Sequence, residues 1–148
     1  MSPSGDLPGP AITVHWLEHA EAALRAAASA GRAVTLLSAP AAAFTVGPLY
    51  FREMVALART AVPGAAALAL FDCGAAPGRA LEALHSGLEA IVFEGPEPQR
   101  GRLAAIAAAG GARLVKRRPP ALDLLDLEKP EEAALGWLRD GTAPGAER

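Results

Sequence analysis

The sequence predicts an α/β fold: a four-stranded parallel sheet assembled from βαβ units, with an extra helix at the N-terminal and C-terminal ends. Three observations predict it. Strand-like segments at 33–38 (AVTLLS), 66–72, 90–94 and 112–116 (ARLVK) alternate with segments of helical spacing. The apolar residues of 66–72 are continuous rather than alternating, the pattern of a strand covered on both faces. The segments between the runs open at Pro48, Pro77 and Pro96 and stop at Pro63-Gly64, Gly87 and Gly110-Gly111, where helices tolerate proline and where they end. Repeated strand–helix–strand connections impose a parallel sheet with right-handed crossovers.

Taken in order, 1–10 (MSPSGDLPGP) is rich in Pro, Gly and Ser and is expected to be a disordered tail ahead of a single α/β domain over 11–140. Thr13 is placed to cap a helix to about residue 30, with Trp16, Leu17, Ala20 and Leu24 near helical spacing and Gly31 as its stop. After the 33–38 strand comes a long apolar loop, 39–47. The helix opened by Pro48 offers Leu49, Met54 or Val55, Leu57 and Ala58 for a buried face. The helix after Pro77 packs Leu81, Leu84 and Leu88. The helix opened by Pro96 and Pro98 packs Leu103, Ile106 and Ala107. Residues 122–127 are a short helix or a loop. Pro130 begins a last helix anchored by Trp137 and Leu138, and 141–148 is a flexible tail.

Two architectures fit: an open doubly wound sheet, or a half-barrel-like sheet with helices on one face. Four strands are too few to close a barrel. The chain has 148 residues, 51% hydrophobic and 20% charged, enough for one real core. A net charge of −2 and a pI near 5.9 argue against a nucleic-acid surface. Cys73 is the single cysteine, so no internal disulfide forms and a reducing, cytoplasmic location fits. The N-terminus lacks the features of a secretory signal, and no apolar run has the length of a membrane helix.

The residues 67–74 (ALALFDCG), followed by 85–95 (HSGLEAIVFEG), resemble the class II fructose-bisphosphate aldolases and their relatives. Those TIM-barrel enzymes carry a strand ending in His-Leu-Asp-His-Gly, in which the Asp is an acid/base and the second His binds zinc. A second strand, ending in Asp-Gly-Ser, follows about twenty residues later. Asp72 matches the catalytic Asp and Gly74 its Gly, while Gly87 and Gly95 match the later glycines. Leu70 and Cys73 replace the two His residues, Glu94 stands where the family has Asp, and Pro96 stands where it has Ser. The resemblance covers about 34–115, half a barrel. It implies a barrel-derived parallel fold without the metal site, so no metal and no cofactor are expected.

Successive strand ends carry Ser38, Asp72 with Cys73, Glu94 and Lys116, which a parallel sheet places along one edge. Asp72 and Glu94 are acid/base candidates and Lys116 a charge stabiliser. Ser38, Cys73, Gly74 and Gly95 are the ligand-binding candidates. The plainer account is that polar residues mark where strands end. Cys73, just ahead of a helix, is either an activated thiolate or a buried, inert thiol. His15 and His19 share a helix face at metal-pair spacing, but Glu18 is in the wrong order for a zincin, so a solvated face is expected. Lys116-Arg117-Arg118 is read as a solvated edge, and Phe44, Val46 and Tyr50 beside the 39–47 loop could line a pocket or meet a partner.

The expected function is that of a non-catalytic or degenerate aldolase-like domain acting through self-association, as a homodimer, or through partner binding. The alternative is a small enzyme or sugar-phosphate-binding protein using Asp72, Glu94 and Lys116, with a phosphorylated small molecule as its ligand.

Overall fold

The computed structural model describes residues 7–42 and 46–142. Its elements, in order, are β1 (Ala11–Thr13), α1 (Leu17–Ala30), β2 (Val34–Leu37), α2 (Pro48–Ala61), β3 (Ala67–Asp72), α3 (Pro77–His85), β4 (Ala90–Val92), α4 (Glu97–Ala109), β5 (Arg113–Val115), β6 (Ala121–Asp123) and α5 (Pro130–Asp140). All strand pairs are parallel, in the order β5-β4-β3-β2-β1-β6. The sheet therefore has six strands rather than the four expected. The two additional strands are β1, where a helix cap was expected at Thr13, and β6, where a short helix or loop was expected. The α1 cap is Trp16 instead.

Two backbone details hold β1 in place. Thr35 donates from its N–H to Pro10 O and from its Oγ1 to Gly9 O, so Gly9 and Pro10 run along β2. At Gly9 a Cβ would fall 1.9 Å from Ala33 O, so only glycine fits that approach. From the other side, Trp137 Nε1 of α5 donates to Ala11 O (2.8 Å), the anchoring expected of that residue. The expected tail residues 1–6 and 143–148, and Phe44, lie outside the described residues.

The sheet is curled, and chain length requires it. A flat sheet would separate β5 from β6 by five strand spacings, about 24 Å. Only six Cα steps join Val115 to Ala121, a reach of at most about 21 Å. The edges must bend toward each other. Side chains then divide between two cores. Ile12, Leu36, Phe71 and Ile91 join residues of all five helices in one cluster. Ala11, Leu37, Leu70, Ala90, Val92 and Val115 form a second cluster that contains no helical residue. The helices thus cover one face and the other is the concave inner face. Period-two alternation places Leu70 and Asp72 on the inner side and Phe71 and Cys73 under the helices.

The α2 helix buries Phe51, Met54, Val55 and Ala58, whereas Leu49 and Leu57, expected inside, are 55% and 60% exposed. Ile106 of α4 is likewise on the outer side. Among the described residues no helix is long and apolar enough to cross a membrane.

Candidate functional site

The parallel register brings the carboxyl ends of the strands to one rim, and the curl turns their inner-face residues toward a common centre. Arg118 occupies that centre. Its Nη1 donates to Asp72 Oδ2 (2.8 Å) and to Ser38 O (2.9 Å), and its Nη2 donates to Thr13 Oγ1 (2.9 Å). Its backbone N–H donates to Glu94 Oε2 (2.8 Å). One residue of the β5–β6 connection thus touches groups at the ends of β1, β2, β3 and β4. Pro119 and Pro120 follow it, lacking N–H groups and fixed in φ, which suits an extended crossing between the sheet edges.

Asp72 is held from several sides. Its side chain is 5% exposed and that of Arg118 21%. Gly74 donates its N–H to Asp72 Oδ1 (2.8 Å), and Asp72 donates its own N–H to Ser38 Oγ (2.8 Å). Glu94 in turn donates its N–H to Gly74 O (2.8 Å). Ser38, Asp72, Gly74 and Glu94, four residues singled out in the sequence, therefore belong to one hydrogen-bonded assembly centred on Arg118, a fifth that was read as a solvated edge.

Lys116 stands apart from Asp72. With Glu94, Arg100 and Arg117 it lines a polar depression of about 490 Å³ whose lining does not include Asp72. Arg100 is fixed there by donating to Gly95 O (2.6 Å) and by pairing with Glu97. Gly95 has no room for a side chain, because a Cβ would lie 2.3 Å from the Phe93 ring. Of the three acid/base candidates, the structure joins Glu94 and Lys116 at the depression and sets Asp72 behind Arg118.

Cys73 is fully buried under the helices, 3.9 Å from Phe71 O. Burial foremost, then the charges of Asp72 and Glu82, pushes its thiol up to about 12. It is withdrawn from the rim and is the inert thiol of the two alternatives.

A second polar group lies at the ends of β1 and β6. His15 Nε2 meets Asp123 Oδ1 at 2.7 Å, and that oxygen also accepts the Leu125 N–H (2.9 Å). His19 is not on a solvated face. It is buried, accepts the His15 N–H at Nδ1 (3.1 Å) and stacks on Trp16, with ring centroids 4.3 Å apart. Burial, then the charge of His15, lowers its pKa, which favours the neutral ring. Among the described residues no three His, Cys, Asp or Glu side chains gather into a cation site. Thr13, His15 and Asp123 went unrecognised as rim residues because β1 and β6 were not recognised as strands.

No protein-family model matches the chain, and no curated protein is similar to it. Among solved structures it is similar to that of a provisionally assigned fructose-1,6-bisphosphate aldolase from Coccidioides immitis, at 23% identity and a TM-score of 0.59. The similarity covers 76% of this chain and 42% of that one, so the chain spans less than half the length of its neighbour. The likeness is one of fold, in keeping with the resemblance carried by residues 67–95.

Proposed function

We propose that the chain is an aldolase-like domain that binds a phosphorylated small molecule at the β4–β5 rim without performing aldol chemistry at Asp72. The observation that carries this is the division of the rim by Arg118. The guanidinium sits against Asp72, where a substrate would have to approach a general base, and leaves Lys116, Arg117 and Arg100 gathered at the depression beside it. The exposed Lys116 and Arg117, beside an Arg100 already held by Gly95 O and Glu97, favour an oxyanion by charge and by hydrogen-bond donors. Calorimetric titration at low salt with inorganic phosphate and with fructose 1,6-bisphosphate tests the reading. Binding is expected, weakened about tenfold or more in Lys116→Ala and Arg117→Ala, each tenfold being about 1.4 kcal/mol. Wild-type protein that takes up neither ligand at about 10 mM, weaker than about −3 kcal/mol, refutes it.

Self-association is a second reading, favoured by a separate observation. Leu49, Tyr50 and Leu57 of α2, with Val46 just ahead of it, are 42–60% exposed, large apolar side chains on the outer side of one helix, with the exposed Glu53 between Tyr50 and Leu57. Light scattering across a concentration series decides it. A dimer that dissociates in Leu57→Glu supports the reading, and a mass fixed at the 15.1 kDa of one chain defeats it.

A further inference from the structure

The contacts around Arg118 close into a circuit. Asp72 Oδ1 accepts from Gly74 N, Gly74 O accepts from Glu94 N, Glu94 Oε2 accepts from Arg118 N, and Arg118 Nη1 returns to Asp72 Oδ2, each at 2.8 Å. Glu94 belongs both to this circuit and to the wall of the basic depression. Arg118 follows Arg117 of that wall in sequence and donates its N–H to Glu94 of the same wall, while its side chain is engaged by Asp72, Ser38 and Thr13, which do not line the depression.

We infer that Asp72 is a positioning residue for Arg118 and sets the anion affinity of the depression by holding a fourth cation out of it. This rests on the depression binding anions, the reading given above. The physical ground is competition for one guanidinium. Asp72 offers a buried counter-charge in direct contact, with two further acceptors beside it, whereas an anion among Lys116, Arg117 and Arg100 is mostly in water. The clamped position therefore dominates without ligand. Weakening the clamp releases a long side chain whose backbone adjoins Arg117 and Glu94 of the wall, so that its charge becomes available to an anion in the depression. Coupling of this kind is reciprocal, so an anion in the depression also loosens the clamp. Asp72, placed where the aldolase resemblance has its acid/base, here acts on a ligand it does not touch.

The test is calorimetric titration of inorganic phosphate into wild type, Asp72→Asn and the double variant Asp72→Asn/Arg118→Ala, with unfolding temperatures measured in parallel without phosphate. Asp72→Asn is expected to bind roughly fivefold tighter or more, the low end of measured couplings between sites, despite a lower unfolding temperature. The double variant returns to near wild-type affinity. A merely structural Asp72 lowers the unfolding temperature and leaves affinity equal or weaker. Asp72→Asn affinity equal to or weaker than wild type overturns the inference while leaving the depression reading intact. Wild type that does not bind phosphate overturns both. Should Asp72→Asn fail to fold, Thr13→Val, which removes only the Nη2 acceptor, decides instead. A tightening of about twofold supports the clamp, as expected for one neutral hydrogen bond at the low end of its net worth, and an unchanged affinity overturns it.

Discussion

Arg118→Ala is the perturbation in which the rim geometry makes its largest claim on stability. The substitution removes the partner of a carboxylate that is 5% exposed and leaves the Ser38 carbonyl and the Thr13 hydroxyl, both in buried residues, without their donor. Breaking a buried pair by deleting one member costs about 3–5 kcal/mol, because the remaining charge stays desolvated. Two features place this case at the low end, about 3 kcal/mol: Gly74 N–H still serves Asp72 Oδ1, and the 21% exposure of Arg118 lets water follow the departing side chain. For a domain of this size that corresponds to a fall of about 6–12 °C in Tm. The assay is urea unfolding followed by far-ultraviolet circular dichroism, with Arg25→Ala as reference. Arg25 pairs with Glu131 at the same 2.8 Å, but both side chains are 48% exposed, so its loss costs less than about 1 kcal/mol. Removing both rim charges together, in Asp72→Asn/Arg118→Met, recovers a large part of the loss, because no buried charge is stranded. An Arg118→Ala variant as stable as Arg25→Ala would refute the reasoning and leave Asp72 held by Gly74 and Ser38 alone.

Three further outcomes follow from the packing. Cys73 is expected to resist iodoacetamide at pH 8 in the native protein and to react fully in denaturant, since its thiol is buried and pushed up to about 12; native labelling at the rate of a free thiol contradicts its placement. Burial lowers the His19 pKa in the fold, so the unfolded chain takes up a proton more readily than the native one, and the contribution to stability is full above about pH 6.5 and falls below it. Asp123 adds to the acid loss only below about pH 4: burial works to raise its carboxyl, but the Leu125 N–H, His15 and Arg118 outweigh it. Denaturant unfolding at pH 7.5 and pH 5 should therefore show a loss in wild type that His19→Asn, which keeps an acceptor for the His15 N–H, largely lacks; equal losses remove His19 as the cause. Gly9→Ala should cost about 1–3 kcal/mol, because its Cβ falls 1.9 Å from Ala33 O, and a neutral result would mean that β1 does not pass β2 as described.

What the sequence conveyed about this fold follows from element length. Strands β2 to β5 were legible because helices of nine residues or more separate them, each with a proline at its start, and β3 is a six-residue apolar run. Strands β1 (AIT) and β6 (ALD) have three residues each, too few to display any period. Thr13 precedes a helical segment and so imitates a cap, but pairing with Leu37 and Asp123 claims it for the sheet. In α2 two apolar faces share one helical period, and only the tertiary structure selects Phe51, Met54, Val55 and Ala58 over Leu49 and Leu57. The rim residues Ser38, Asp72 and Glu94 were visible as strand ends. Arg118 was not, because a basic triplet before two prolines reads as solvated until the curl of the sheet brings it to Asp72.

That curl also gives a physical sense to the positions where the chain departs from the aldolase pattern. With six strands, the concave face has little volume, and it is filled by Leu37, Leu70, Val92 and Val115 between the small Ala11 and Ala90. Leu70 is fully buried there, where an imidazole would need a partner that the surrounding alkyl groups do not offer. Cys73 faces the helices, where a ligating side chain could not reach the rim. Asp72 remains at the mouth of a face that has become hydrophobic core, and a carboxylate in that position requires a fixed counter-charge. Arg118 supplies it from the one segment that must cross the mouth to join the two edges of the sheet. The same contact that closes the core thereby moves the accessible charge of the rim away from Asp72, to Glu94, Lys116, Arg117 and Arg100.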